Sequence, residues 1–395
     1  MMKRILSLTL LVLMLASMLV LPASADENDL SGTTINVYNW GQYISDGTDG
    51  SIDLNAEFTK ATGITVNYMT FDSNETLYTK LKTGGSTYDV IIPSDYMIAR
   101  LAAEDMLLEL DFDNIPNYKY VDEAHKNKDY DPENKYSVPY TWGTVGIIYN
   151  TKFVEEPTSW DILWDPRYSG KILMFNNPRD SFAIAEFMLG YSINTSDPAE
   201  LDACAKLLAE QKPYVQNYVM DQIYDKMIRE EAYVAPYYAG DYLMMAEDNP
   251  DLAFCFPEEG FNAFVDAMCI PVGAENKAAA EAYINFMCDP EISGRNMDFL
   301  GYSTPISEAK QYMDEAVASS EIAYPSDETL ARSSSFCYLE AETTQMMDSL
   351  WNDVKTSSGL PIGSLVGIIT VFAVVFLWFG FRYIRNKRRM AARYK

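Results

Sequence analysis

The sequence predicts an α/β protein of two lobes, extended by a C-terminal transmembrane helix. Three observations predict it. Strand and helix signals alternate along the chain. The stretch 26–359, about 334 residues, is too long for one ordinary core. Residues 360–381 carry no charge, and seven basic residues follow them.

In chain order, Met1-Met2-Lys3-Arg4, the apolar run 5–22 and Ala23-Ser24-Ala25 predict a secretory signal peptide, residues 1–25. Thr33-Thr34-Ile35-Asn36-Val37-Tyr38 is a β-branched run and reads as the first strand. It breaks at once into Asn39-Trp40-Gly41-Gln42-Tyr43, a set that suits a ligand platform better than a core. Residues 51–62 read as a helix closed by Gly63, and 64–68 as a second strand. Asp72 is placed to cap the next helix, with Glu75 completing a capping box. Tyr88-Asp89-Val90-Ile91-Ile92 is a continuous apolar strand that stops at Pro93-Ser94-Asp95-Tyr96.

Open α/β sheets bind ligands beyond the carboxyl ends of their strands. Trp40, Gln42, Tyr43, Ser94, Asp95 and Tyr96 are therefore expected to line one mouth. Farther on, 145–150 reads as a buried strand, and a strand from Lys171 ends at Phe175-Asn176-Asn177-Pro178-Arg179-Asp180. A helix is expected to resume at Ser181. Val234 to Tyr238 runs into Ala239-Gly240-Asp241, and 260–276 has the character of a chain crossing back to the first lobe.

The 22 residues 360–381 would make a helix of about 33 Å, enough for a bilayer core of about 30 Å. The basic tail, 382–395, places the C-terminus in the cytoplasm. The expected localisation is thus the cell membrane, single-pass, with the ectodomain outside. Between the two ends, 57 acidic residues face 21 basic ones, a net charge of about −36. Such a surface repels nucleic acid and attracts cations.

Five cysteines, Cys204, Cys255, Cys269, Cys288 and Cys337, are widely spaced, with no CxxC or Cys/His cluster, so no zinc site is expected. Their number leaves at least one thiol unpaired within the chain. The single histidine, His125, sits in a polar stretch and is expected at the surface. One histidine there leaves no Ser-His-Asp or Cys-His arrangement.

Several long motifs in order, "VYNWGQY", "SNETLYTKLKTGGSTYDVIIPSDY", "DPENKYSVPYTWGT", "TSWDILWDPRYSGKILM" and "GYSTPISEA", resemble the spermidine/putrescine-binding proteins of polyamine ABC importers. The resemblance runs from about Ile35 to about Glu328. It implies a two-lobed periplasmic-binding-protein (Venus flytrap) fold that closes on its ligand. It divides the chain into lobe 1, 33–142 with 266–310, and lobe 2, 143–265 with 311–357. It also implies an ABC permease as partner, with no enzymatic activity and no cofactor or metal.

Residue by residue, the resemblance implies a wall of Trp40, Gln42 and Tyr43, with contacts from Ser94 and Tyr96 and an extra acid at Asp95. The family's paired acids, spelled D-x-x-E, fall on Asn177 and Asp180. Its Trp before the N-G-S triplet falls on Tyr238. Its Trp-x-Asp falls on Phe264 and Asp266, and its Tyr in the G-Y-x-T-P motif on Tyr302. The family pattern has Thr-Glu where this chain has Gly41-Gln42, so carboxylates are missing at Gln42 and Asn177. That loss would favour a shorter diamine.

The chemistry of the residues agrees. A polyamine is an apolar chain bearing ammonium groups; carboxylates satisfy the ammoniums, and aromatic faces suit both parts. Asp180 and Asp266, with Asp95 or Asp241 as a third candidate, would supply charge. Trp40, Tyr43, Tyr96, Tyr238, Phe264 and Tyr302 would supply faces. Alternatives of other classes are a surface sensor or coreceptor of the same fold, a related fold binding another small cation, an amino-acid-like solute, sugar or ferric ion, and a two-carboxylate glycoside hydrolase.

Overall fold

β1 (Thr34–Trp40) opens the chain in the computed structural model, which describes residues 30–85 and 87–356. Helix α1 (Leu54–Thr62) follows; Asp53 caps it by accepting the Ala56 N–H, and Gly63 closes it at φ 75°. β2 (Thr65–Phe71) pairs parallel to β1. Helix α2 (Asn74–Thr83) is capped by Ser73, which accepts the Thr76 N–H. The expected cap at Asp72 is thus displaced by one residue. This matters below, because it leaves the Asp72 and Glu75 carboxylates free for other work.

β3 (Val90–Ile91) also pairs parallel to β1 and leads into α3 (Asp95–Ala103). β4 (Ser137–Asn150) is the longest strand, with thirteen of its fourteen residues buried. β5 (Ile172–Phe175) runs into α4 (Pro178–Leu189), which starts three residues before the expected Ser181 because Asn177 caps it and Pro178 fits its first turn. Then come α5 (Pro198–Gln211), β6 (Val215–Val219), α6 (Ile223–Ile228), β7 (Val234–Tyr238) and α7 (Ala239–Asp248). β8 (Leu252–Cys255), β9 (Phe261–Cys269), α8 (Lys277–Met287), α9 (Pro290–Leu300), β10 (Ser333–Ser334) and α10 (Ala341–Thr356) follow among the described residues, with one-turn helices at Glu315–Ala318 and Asp327–Leu330.

The sheet order is β2-β1-β3-β9-β4-β7-β5-β6, with β8 on β4 and β10 on β9. β4 and β9 are the joint. Their antiparallel ladder runs from Ser137 opposite Cys269 to Thr144 opposite Ala263, and slips at Pro139, which has no N–H to give. The rest of β4, Val145 to Tyr149, turns to β7 instead.

The buried side chains divide accordingly. One core gathers Val145, Ile147, Trp160, Phe175, Phe182, Val234 and Trp351. Two adjoining clusters on the other side gather Ile35, Leu54, Phe58, Val138 and Ile284, and Tyr38, Leu77, Ile91 and Leu101. Each fully buried aliphatic or aromatic side chain contributes about 1.5–3 kcal/mol. A single strand, β4, therefore stiffens both cores while its middle spans the gap between them.

His125 departs from its expected place. It ends a short 3-10 turn and lies half-buried beside the Trp142 ring, 5.7 Å between centroids. Burial lowers its pKa to about 4, so it is neutral at physiological pH. All five cysteines are free thiols, three of them buried. Among the described residues no helix is long and apolar enough to cross a membrane. The expected signal peptide (1–25), transmembrane helix (360–381) and basic tail (382–395) lie outside the described residues.

Candidate functional site

β1, β2 and β3 are parallel, as are β5, β6 and β7, so each half of the sheet sends its carboxyl ends to one edge. Those two edges meet at a cavity of about 770 Å³, counting its open mouth. Trp40, Phe71 and Ser94 enter from one side, and Asn177, Met220 and Tyr238 from the other. Side chains of β9 line the cavity between them: Asn262, Phe264 and Asp266.

Asp266 is buried at 3% exposure. Its Oδ2 accepts the Tyr43 hydroxyl at 2.6 Å, while its Oδ1 has no partner among the described residues. Burial pushes its carboxyl up to about 6. Asp180, in the first turn of α4, accepts the Tyr238 hydroxyl and the Asn177 amide on its Oδ2, each at 2.7 Å. Burial raises it, and those two bonds oppose the rise. Asp241, in the first turn of α7, accepts the Tyr224 hydroxyl at 2.6 Å on one oxygen and the Tyr302 hydroxyl on the other. Burial pushes it to about 6. The rings around these acids interlock: Tyr43 meets Tyr302 edge-on at 5.3 Å, and Tyr238 meets Phe264 at 5.5 Å. The Trp40 Nε1–H is buried without a partner among the described residues, a donor left over in an otherwise acid-rich wall.

Of the thirteen candidates, eleven line this cavity: Trp40, Tyr43, Ser94, Tyr96, Asn177, Asp180, Tyr238, Asp241, Phe264, Asp266 and Tyr302. Gln42 and Asp95 do not. Gln42 adopts φ 48° in the turn after β1, which turns its side chain out to solvent while Gly41 and Tyr43 stay in the wall. Asp95 is buried at 3% exposure but folds back on its own helix. It accepts the Tyr96 N–H at 2.7 Å and the Val265 N–H at 3.3 Å, so it pins α3 to β9 behind Ser94. Burial pushes it up to about 7.

The cavity also holds acids outside the candidate set, namely Asp72, Glu75 and Asp221. Glu75 accepts the Tyr96 hydroxyl at 2.9 Å. Asp221 keeps an exposed edge, yet the protein packed around it raises its carboxyl, and Asp72 raises it further. A Cβ on Gly41 would lie 2.4 Å from an Asp221 oxygen, so the bare glycine is what admits that carboxylate. The strand-end rule finds these acids too, once it is applied at the ends of β2 and β6. Three further carboxylates thus reach the cavity beside the neutral Asn177.

Gly240 serves the site in the same way. A Cβ there would lie 2.2 Å from the Tyr302 ring. Gly240→Ala is expected to cost about 1–3 kcal/mol through overpacking, seen as a lower melting temperature without ligand. An unchanged melt would show that Tyr302 can turn aside.

Residues 53–325 match the family described as bacterial extracellular solute-binding protein. The chain belongs to this family. Among its relatives, the spermidine/putrescine-binding periplasmic protein of Escherichia coli (strain K12) is 34% identical over 311 residues, covering 78% of this chain and 86% of its own. The putrescine-binding periplasmic protein of Pseudomonas aeruginosa (strain UCBPP-PA14) is 32% identical over 376 residues, covering 90% of this chain and all of its own. A solved chain from Listeria monocytogenes, whose name carries spermidine, putrescine and ABC transporter, superposes with a TM-score of 0.78 at 35% identity, covering 82% of this chain and 99% of its own.

These findings correct the expected cell-membrane, single-pass localisation. The family is extracellular, the two relatives are named periplasmic, and no spanning helix exists among the described residues.

Proposed function

We propose that this solute-binding protein captures a polyamine of the putrescine/spermidine class and delivers it to an ABC permease. The observation that carries this reading is the make-up of one cavity. Six carboxylates (Asp72, Glu75, Asp180, Asp221, Asp241 and Asp266) and nine aromatic rings line it, with no Lys, Arg or His among the lining residues. A cationic, flexible, largely apolar ligand suits such a wall, because each ammonium is met by carboxylates and the methylenes by ring faces. The Asp266 Oδ1, unpartnered among the described residues, stands ready as an acceptor for one ammonium. The relatives named for spermidine and putrescine support the same ligand class.

The role is capture, not catalysis. The proposed ligand contacts are Trp40, Tyr43, Ser94, Tyr96, Asn177, Asp180, Tyr238, Asp241, Phe264, Asp266 and Tyr302, joined by Glu75 and Asp221. The proposed lobes are 33–142 with 266–310 and 143–265 with 311–357; the separate cores on either side of the β4–β9 joint support this division.

Thermal melting of the protein with putrescine, spermidine, spermine, neutral sugars and amino acids tests the reading. A ligand at about a thousand times its dissociation constant adds roughly 4 kcal/mol, a clear upward shift. Shifts with polyamines alone are expected. A shift with a sugar or amino acid and none with any amine would overturn the ligand class. With six carboxylates available, spermidine is expected to shift the melt at least as far as putrescine does.

A further inference from the structure

Arg179 is buried at 5% exposure beside Asp180, yet it is not part of the cavity wall. One terminal nitrogen donates to Asn194 Oδ1 at 3.0 Å and to the Cys337 carbonyl at 3.3 Å. Its Nε and its other terminal nitrogen have no partner among the described residues. A buried cation so placed is costly unless something else meets its charge.

Two rings meet it. The guanidinium carbon lies 4.3 Å from the Phe336 ring centroid and 5.3 Å from that of Tyr96, and the two rings meet edge to face at 5.7 Å. These three residues come from opposite sides of the cleft. Tyr96 lies on α3, whose Met97, Ile98 and Leu101 pack into the core of β1 and β3. Arg179 lies in the first turn of α4, and Phe336 packs with Ala183 of that helix and Ile193.

Tyr96 also has two working faces. It lines the ligand cavity, where its hydroxyl donates to Glu75 and accepts from Asn74. It also lines a smaller hollow behind, together with Arg179, Arg100 and Tyr338. The stack thus ties a cavity-lining ring to the far lobe without any part of Arg179 reaching the ligand space.

We propose that Arg179 is a positioning residue that latches the closed cleft. It holds Tyr96 against Phe336 and so sets how slowly bound ligand leaves. This rests on the capture reading above. Separation of the two sides withdraws Tyr96 and returns the guanidinium to water, so the latch acts only on the closed form. It contributes the same amount whatever amine is inside.

Stopped-flow fluorescence of the full chain with spermidine and with putrescine tests this. Arg179→Met keeps the length and the apolar stem and removes the charge. The dissociation rate is expected to rise about thirtyfold for both amines, the size of one desolvated cation–aromatic contact, with the association rate unchanged. The affinity ratio between the two amines should stay at its wild-type value. Arg179→Lys should restore part of the loss, because a cation again sits over the rings. Asn194→Ala, which removes the acceptor that aims the guanidinium, should speed release by a smaller factor.

An unchanged dissociation rate in Arg179→Met overturns the latch. So does an altered amine ratio, which would mean that Arg179 reads the ligand. If Arg179→Met fails to fold, the Lys and Asn194→Ala variants decide, and wild-type release rates in both overturn the latch. Wild-type protein that binds no amine overturns the capture reading and the latch with it.

Discussion

Asp266→Asn is expected to remove most amine binding while raising the melting temperature of the ligand-free protein. The two effects have one cause. The carboxylate is 3% exposed, one of its oxygens lacks a partner among the described residues, and burial has pushed it to about 6. At pH 7.5 it is therefore held ionised at a cost. The amide keeps the shape and an acceptor for Tyr43 and removes that cost, a gain on the order of 2–3 kcal/mol. The same change takes away the charge that an ammonium would pair with. Losing one partner of a buried charged pair costs about 2–5 kcal/mol, or roughly 30- to 5000-fold in affinity. Calorimetric titration and melting on the same preparations check both halves. Near-wild-type affinity would remove Asp266 from the site; lost affinity with a lower melt would mean that the side chain serves the fold.

The second large effect is a crossing of pH dependences. Asp241 and Asp266 sit at about 6, Asp95 at about 7 and Glu186 at about 8, all raised chiefly by burial. Their folded values exceed those of the unfolded chain, so the folded state holds protons that the unfolded chain has released. Their contribution to stability is full below the unfolded values near 4 and is lost as pH rises through about 6–8. Ligand-free protein is therefore expected to melt higher at pH 5 than at pH 8.

Affinity should run the other way. An ammonium pairs with the ionised carboxylates, so protons on Asp241 and Asp266 must leave when it binds. Below about pH 6, affinity should fall by a factor approaching tenfold per unit for each of these two groups, about thirtyfold in all between pH 6 and pH 5. Titrations at pH 5, 6, 7 and 8, beside melts of the free protein, show both trends. Flat affinity across that range would remove Asp241 and Asp266 from contact with the charge of the ligand.

Acid stability below that window has a different source. Burial works against ionisation of Glu104, but bonds from Lys82, Tyr78 and Arg100 bring it down to about 2. That pairing is lost only at strongly acid pH.

Much of this was legible in the chain. Strand and helix alternate because β-branched runs and capped amphipathic segments are local patterns, set by near neighbours. The strand-end rule needs only those patterns, and it reached Trp40, Tyr43, Ser94 and Tyr96. The motif pattern reached Asp180, Tyr238, Phe264, Asp266 and Tyr302 across the second half of the chain.

What the tertiary structure decided is which strand-end side chains look inward. Gln42 and Tyr43 are neighbours, yet a backbone φ of 48° sends one to solvent while the other bonds to Asp266, 223 residues away. Asp95 and Asp266 are both buried acids, but two backbone N–H groups claim the first and leave an oxygen of the second free. Asp72 and Glu75 look like caps until Ser73 takes the cap, and Asp221 joins the cavity only because Gly41 leaves room across the cleft. Capping competition, one turn dihedral and the approach of two cores depend on atoms far apart in sequence. The sequence alone thus determined the fold class and the ring-and-acid character of the site; packing determined which acids form it.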